Sequence, residues 1–154
     1  MNKALVVLLV LLPLLGLSTN FVVTNNSTSG NGSLSQAIMD ASQNGTATSD
    51  TISFNLPVTE TTIQLTSELV LSSNLVIDGI TQPGKGYGKT DTKIRLQPIG
   101  CTIGFKVESI KNIEVYGLWF SNFTTGSLSC FGSAISIRNT DHFTLGKPAK
   151  GNCK

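Results

Sequence analysis

Charge is scarce in this chain. Asp, Glu, Lys and Arg make up 13% of its 154 residues, about half the share usual in soluble domains. With 40% hydrophobic residues, that scarcity excludes a disordered chain and a charge-laced helical bundle. The net charge of +2 builds no field that would gather nucleic acid, so no nucleic-acid partner is expected. Histidine occurs once, as His142, and arginine twice, as Arg95 and Arg138. The three cysteines, Cys101, Cys130 and Cys153, match no zinc-ligand spacing, so no metal or other cofactor is expected. The longest apolar run, Ala4–Leu15, has about 12 residues, short of the roughly 20 that span a bilayer. Glycine, by contrast, numbers 15, and Ser, Thr and Asn recur throughout, a composition of turns and short strands. The length suits one domain.

The first 18 residues have the pattern of a secretory signal peptide. A positive start at Lys3 precedes the apolar run, and Gly16-Leu17-Ser18 places small residues two apart, as a signal peptidase requires. Cleavage near Ser18 leaves a nearly neutral chain in a secreted, extracellular or cell-surface setting. Membrane contact is expected only through an uncleaved leader. Export makes disulfides permissible. Five Asn-x-Ser/Thr sequons, at Asn25, Asn26, Asn31, Asn44 and Asn122, are acceptors only in a eukaryotic source.

Residues 19–50 read as a strand and a helix. Phe21–Thr24 is β-rich. Ser33 stands three residues before Gln36 in a capping-box pattern, and Leu34, Ala37, Ile38 and Ala41 then share one helical face, ending at Gln43-Asn44-Gly45. From residue 51 to 154 the period is two, as in Ile52/Phe54, Ile63/Leu65, Leu69/Leu71 and Leu75/Ile77, with turn residues between. Three segments, Leu69–Gly79, Val107–Gly117 and Ile137–Gly146, align with one another at offsets of 38 and 30 residues. Each has a strand end, a polar turn closing on Asn74, Asn112 or His142, and a second strand. The inward pairs are Leu75/Ile77, Ile113/Val115 and Phe143/Leu145. Such a repeat predicts an all-β parallel β-helix, with the helix capping its N-terminal end. A β-sandwich is the alternative and requires tight Asn-Gly hairpins between neighbouring strands.

Phe21-Val22-Val23-Thr24-Asn25 and Ser29-Gly30-Asn31-Gly32-Ser33-Leu34-Ser35-Gln36-Ala37-Ile38 resemble the N-terminal motif of secreted bacterial right-handed β-helix proteins. The likeness runs on through Asp50–Pro57, Thr62–Leu65, Val76–Gly84, Gly117–Phe123, Phe143–Gly146 and Gly151-Asn152. It implies a pectin-lyase-like solenoid, usually part of a larger surface protein. Ser35 stands where the relatives carry Arg. Lys154 falls where they begin another coil, so the coils of 51–154 are expected to be incomplete at the C-terminus.

No catalytic set is expected. The Asp residues are scattered, and Asn139-Thr140-Asp141, although it spells a polygalacturonase motif, lacks that family's companion motifs and reads as a turn. His142 reads as a turn residue. Gly79–Gly88 lacks the Gly-Lys-Ser/Thr ending of a phosphate loop. Alternation sets Leu118 and Phe120 on one face and Trp119 on the other, which makes Trp119 the candidate glycan contact, with packing as its competing role. Cys130 and Cys153, about one coil apart, form the candidate disulfide; Cys101–Cys130 competes, and Cys101 is alternatively a small buried apolar residue. The expected function is an exported, non-catalytic module that displays loops for adhesion to a polysaccharide or cell-surface glycan. The alternative is the N-terminal part of a polysaccharide lyase or glycoside hydrolase whose catalytic coils lie beyond residue 154.

Overall fold

Apart from the first, the strands hydrogen-bond to strands three places along the chain. A computed structural model describes residues 17–88, 90–123 and 132–146. Its elements are β1 (Asn20–Val23), α1 (Leu34–Asn44), β2 (Asp50–Phe54), β3 (Thr62–Leu65), β4 (Leu69–Val70), β5 (Leu75–Asp78), a 3₁₀ turn (Gly79–Thr81), β6 (Ile94–Pro98), β7 (Phe105–Glu108), β8 (Lys111–Tyr116), β9 (Leu118–Phe120), β10 (Ile135–Arg138) and β11 (Asp141–Leu145). They form three sheets, ordered β1-β2-β5-β8-β11, β4-β7-β10 and β3-β6-β9. Every pairing among the described residues is parallel. The fold is therefore mostly β with parallel sheets, and the hairpins a sandwich requires do not join paired strands.

The five-stranded sheet has the expected register. Leu75 pairs with Ile113 and Ile113 with Phe143, while Ile77 pairs with Val115 and Val115 with Leu145. Leu75, Ile77, Ile113 and Val115 are fully buried, Phe143 is partly buried, and Leu145 on the last strand is 51% exposed. The turns before these strands stack as well. Asn74, Asn112 and His142 all adopt left-handed backbone, at φ 59°, 57° and 55°, a conformation that Asn tolerates better than most residues. The Asn112 amide donates to Asn74 Oδ1 at 2.7 Å, and the Asn74 amide donates to the Thr46 carbonyl.

One part of the alignment shifts. Leu69 pairs with Phe105, not Val107, because the path from Leu69 to Leu75 is two residues shorter than the equivalent paths from Phe105 to Ile113 and from Ile135 to Phe143. The longer turns contain an additional left-handed residue, Ser109 at φ 55° and Asn139 at φ 49°.

Helix α1 buries Leu34, Ala37, Ile38 and Ala41 and packs on β1, β2 and β4. Only half of the capping box forms. Ser33 Oγ accepts from the Gln36 amide at 3.1 Å, but the Ser33 amide donates to the Gly30 carbonyl and the Gln36 side chain to Asp40. The helix ends at Gly45, whose φ of 93° favours glycine. Since β1 pairs with β2, residues 19–50 belong to the same body as the strands that follow. Among the described residues no helix is long and apolar enough to cross a membrane. Residues 1–16 of the leader lie outside them.

Core columns fix the mutational response. Ile113→Ala, a fully buried side chain with apolar neighbours in register on both sides, should lower stability by about 2–5 kcal/mol. Leu145→Ala, in the half-exposed terminal strand, should cost less than about 1 kcal/mol. Denaturant unfolding of both variants checks the register, and equal losses would refute it.

Candidate functional site

The outward row of the β3-β6-β9 sheet carries the candidate site. Alternation turns Ile63, Ile94, Leu96 and Leu118 inward, where they are buried. It leaves Thr62, Arg95 and Trp119 outward and paired in one register. The Arg95 guanidinium lies over the Trp119 ring, 4.0 Å from its centroid. Tyr87 meets the same indole edge-on at 5.1 Å, and its hydroxyl shares a 2.8 Å hydrogen bond with the Thr61 hydroxyl.

The loop that presents Tyr87 is fastened to both its neighbours. Gln82, completely buried, accepts from the Leu56 amide and donates to the Leu56 carbonyl, at 2.8 and 2.9 Å. The Tyr87 amide donates to the Thr92 carbonyl at 2.7 Å, and the Tyr87 carbonyl accepts from Thr90. Gly86 is required there, since a Cβ would overlap the Thr90 carbonyl oxygen. Asp78 accepts from the Ile80 amide and holds the 3₁₀ turn ahead of this loop. The Gly79–Gly88 segment thus serves as a structural support for an aromatic side chain.

Arg95 is the electrostatic centre of the site. None of the ion pairs among the described residues includes it, and its Nε is buried without a hydrogen-bond partner. Its charge is met by the π face of Trp119, an attraction of about 0.5–2 kcal/mol. The residues form a partly buried aromatic and cationic platform. It can stack on a flat apolar ring face and donate hydrogen bonds from the guanidinium; it holds no group placed for proton transfer.

The other sequence candidates lie elsewhere. Trp119 faces outward as alternation requires and is partly buried, packed against Arg95 and Tyr87. His142 is exposed, with Nδ1 3.0 Å from Asp141 Oδ1, at the turn into β11. The Thr140 hydroxyl donates to backbone carbonyls of Val107 and Arg138, and Asn139 has left-handed backbone, in agreement with a turn. Cys101 is exposed and disulfide-bonded, which corrects its reading as a buried apolar residue. Cys130 and Cys153 lie outside the described residues. With three cysteines in the chain, a bond at Cys101 and a Cys130–Cys153 bond exclude one another within one molecule. No group of three or more metal-ligating side chains occurs among the described residues. A shallow cleft of about 290 Å³ opens between α1 and β4, and its carboxylate, Glu68, is paired with Lys106 at 3.4 Å.

Arg95 and Tyr87 were not distinguishable in the sequence as partners of Trp119. The available signal was the shared apolar-x-apolar pattern of Ile94-Arg95-Leu96 and Leu118-Trp119-Phe120, one turn of the chain apart. Compared with known proteins, the chain matches no family model, no curated protein and no solved structure.

Trp119 is the single tryptophan, so its emission reports this site directly. Arg95→Ala should shift that emission to longer wavelength as water replaces the guanidinium. A double-mutant cycle with Trp119→Phe should give a coupling of about 0.5–1 kcal/mol. Unchanged emission together with zero coupling would show that the stack does not form.

Proposed function

We propose that this chain is an exported, non-catalytic module built as a right-handed parallel β-helix of the pectin-lyase-like kind, and that it contacts glycans through Trp119. Three parallel sheets, in which every strand from β2 to β8 meets the one three places on, support the solenoid architecture. The Met1–Ser18 pattern and the disulfide at Cys101 support export into an oxidising compartment. The bacterial surface-protein resemblance supports display at the cell surface.

The Arg95–Trp119 platform is the observation that carries the glycan reading. A pyranose presents axial hydrogens on one face and hydroxyls at its rim. The indole takes the hydrogens, and the guanidinium beside it reaches the hydroxyls. Four of the five aspartates already have a partner. Asp40 accepts from Gln36, Asp50 from Thr19 and Asn44, Asp78 from the Ile80 amide, and Asp141 is paired with His142. Each serves as a structural acceptor, which favours a binding surface over a hydrolytic one.

Affinity electrophoresis in gels containing neutral or acidic polysaccharides tests the reading. The wild-type chain should be retarded by at least one such polymer. Trp119→Ala should weaken that retardation by about tenfold, the equivalent of 1.4 kcal/mol. A wild-type chain that migrates unretarded in every gel would rule out the glycan reading.

A further inference from the structure

The start of β2, beside the start of β1, holds a buried carboxylate without a cation among the described ion pairs. Asp50 is 2% exposed, and none of the ion pairs among the described residues includes it. It accepts from the Thr19 amide at 2.8 Å on Oδ1, and the Asn44 amide donates to both its oxygens, at 2.9 and 3.0 Å. Thr19 is fixed independently, because its carbonyl accepts from the Thr51 amide at 2.9 Å. These donors are neutral, and a charged donor at the same distance would bind the carboxylate more strongly.

The sequence offers that cation at one peptide bond. Gly16 and Ser18 are the small residues two apart that a signal peptidase reads, and the bond they specify is Ser18–Thr19. Its hydrolysis frees the nitrogen that lies 2.8 Å from Asp50. We propose that the Ser18–Thr19 bond is the processing site, and that the new Thr19 α-ammonium closes an ion pair with Asp50 that locks β1 into the fold. This rests on the reading that Met1–Ser18 is an export leader.

The step balances with water alone. The hydroxyl of one water goes to the Ser18 carbonyl carbon and a proton to the Thr19 nitrogen. At neutral pH the amine takes a further proton and the Ser18 carboxylic acid gives one up. Leu17 and Ser18 depart with the leader, and with them three exposed contacts: Ser18 Oγ to the Ser49 carbonyl, and Thr19 Oγ1 and Asn44 to the Leu17 carbonyl. The Asn44 bonds to Asp50 and to Thr19 Oγ1 remain available. Signal peptidases act on extended, unfolded chain, so the pair forms as the exported protein folds.

The test uses the full chain produced in a secreting host. Intact mass and N-terminal sequencing should show a chain that begins at Thr19. Under native conditions at neutral pH its α-amine should resist acetylation relative to the denatured protein, and Asp50→Asn should lose that protection. A chain begun at Ser18, with its amine displaced by one residue, should melt at a lower temperature than one begun at Thr19. That comparison stands even if Asp50→Asn fails to fold. An uncleaved exported product would overturn the export reading along with the proposal. Cleavage at another bond, a Thr19 amine acetylated as fast as in the denatured chain, or equal melting of the two chains would overturn the ion pair and leave export intact.

Discussion

Parallel pairing is the constraint on which the rest of the structure depends. Two parallel strands cannot be joined by a tight turn, because the chain must return to the end from which the first strand started. Here the return path is itself made of strands. The chain leaves β5, passes through β6 and β7, and comes back as β8 beside β5, so one crossover supplies the strands of the other two sheets. Each residue then meets its counterpart on the next pass. Inward positions become apolar columns, turn positions become stacks such as Asn74 on Asn112, and outward positions become rows such as Thr62, Arg95 and Trp119.

This constraint also explains which features could be read in the sequence. Columns in one sheet repeat a local pattern, so period two and a closing Asn or His are enough to align Leu75, Ile113 and Phe143. The β4 register was misread because it depends on turn length, and the additional residues at Ser109 and Asn139 have no strong sequence signature. Trp119 was assigned to the outer face by alternation alone. Its partnership with Arg95 requires the register between successive passes, which no short window contains. Gln82 and Asp50 were invisible for a similar reason. Gln82 clamps Leu56 across 26 residues and Asp50 holds Thr19 across 31, so neither leaves a periodic trace.

The scarce charges are distributed with the same economy. On the outer face of the β4-β7-β10 sheet, Lys106 approaches Glu68 and Glu108, and Arg138 approaches Glu108, in a chain of alternating sign. Each of these exposed pairs is worth only about 0–1 kcal/mol. Their larger effect is on specificity, since a charged outer face opposes unwanted sheet-to-sheet association. The β3-β6-β9 face is different. Its cation, Arg95, is met by the indole of Trp119 in place of a carboxylate.

Burial in such a column is a property of neighbours, not of the residue. Ile52, Ile77 and Val115 share a column with Leu145; the first three are fully buried and the last is half exposed. The same contrast separates Val107 from its partner Ile137. Stability in a stacked fold is therefore set largely by nearest-neighbour contacts, and a terminal strand contributes less than an interior one of identical sequence. At the β1 end this weakness is offset by α1, which lays Leu34, Ala37, Ile38 and Ala41 over β1, β2 and β4. Asp50, in turn, ties the first residues of that end to α1 through Asn44 and to β1 through Thr19. The helix, the first strand and the second strand thus meet at one buried carboxylate, and the ordering of the whole β1 edge depends on how that charge is satisfied.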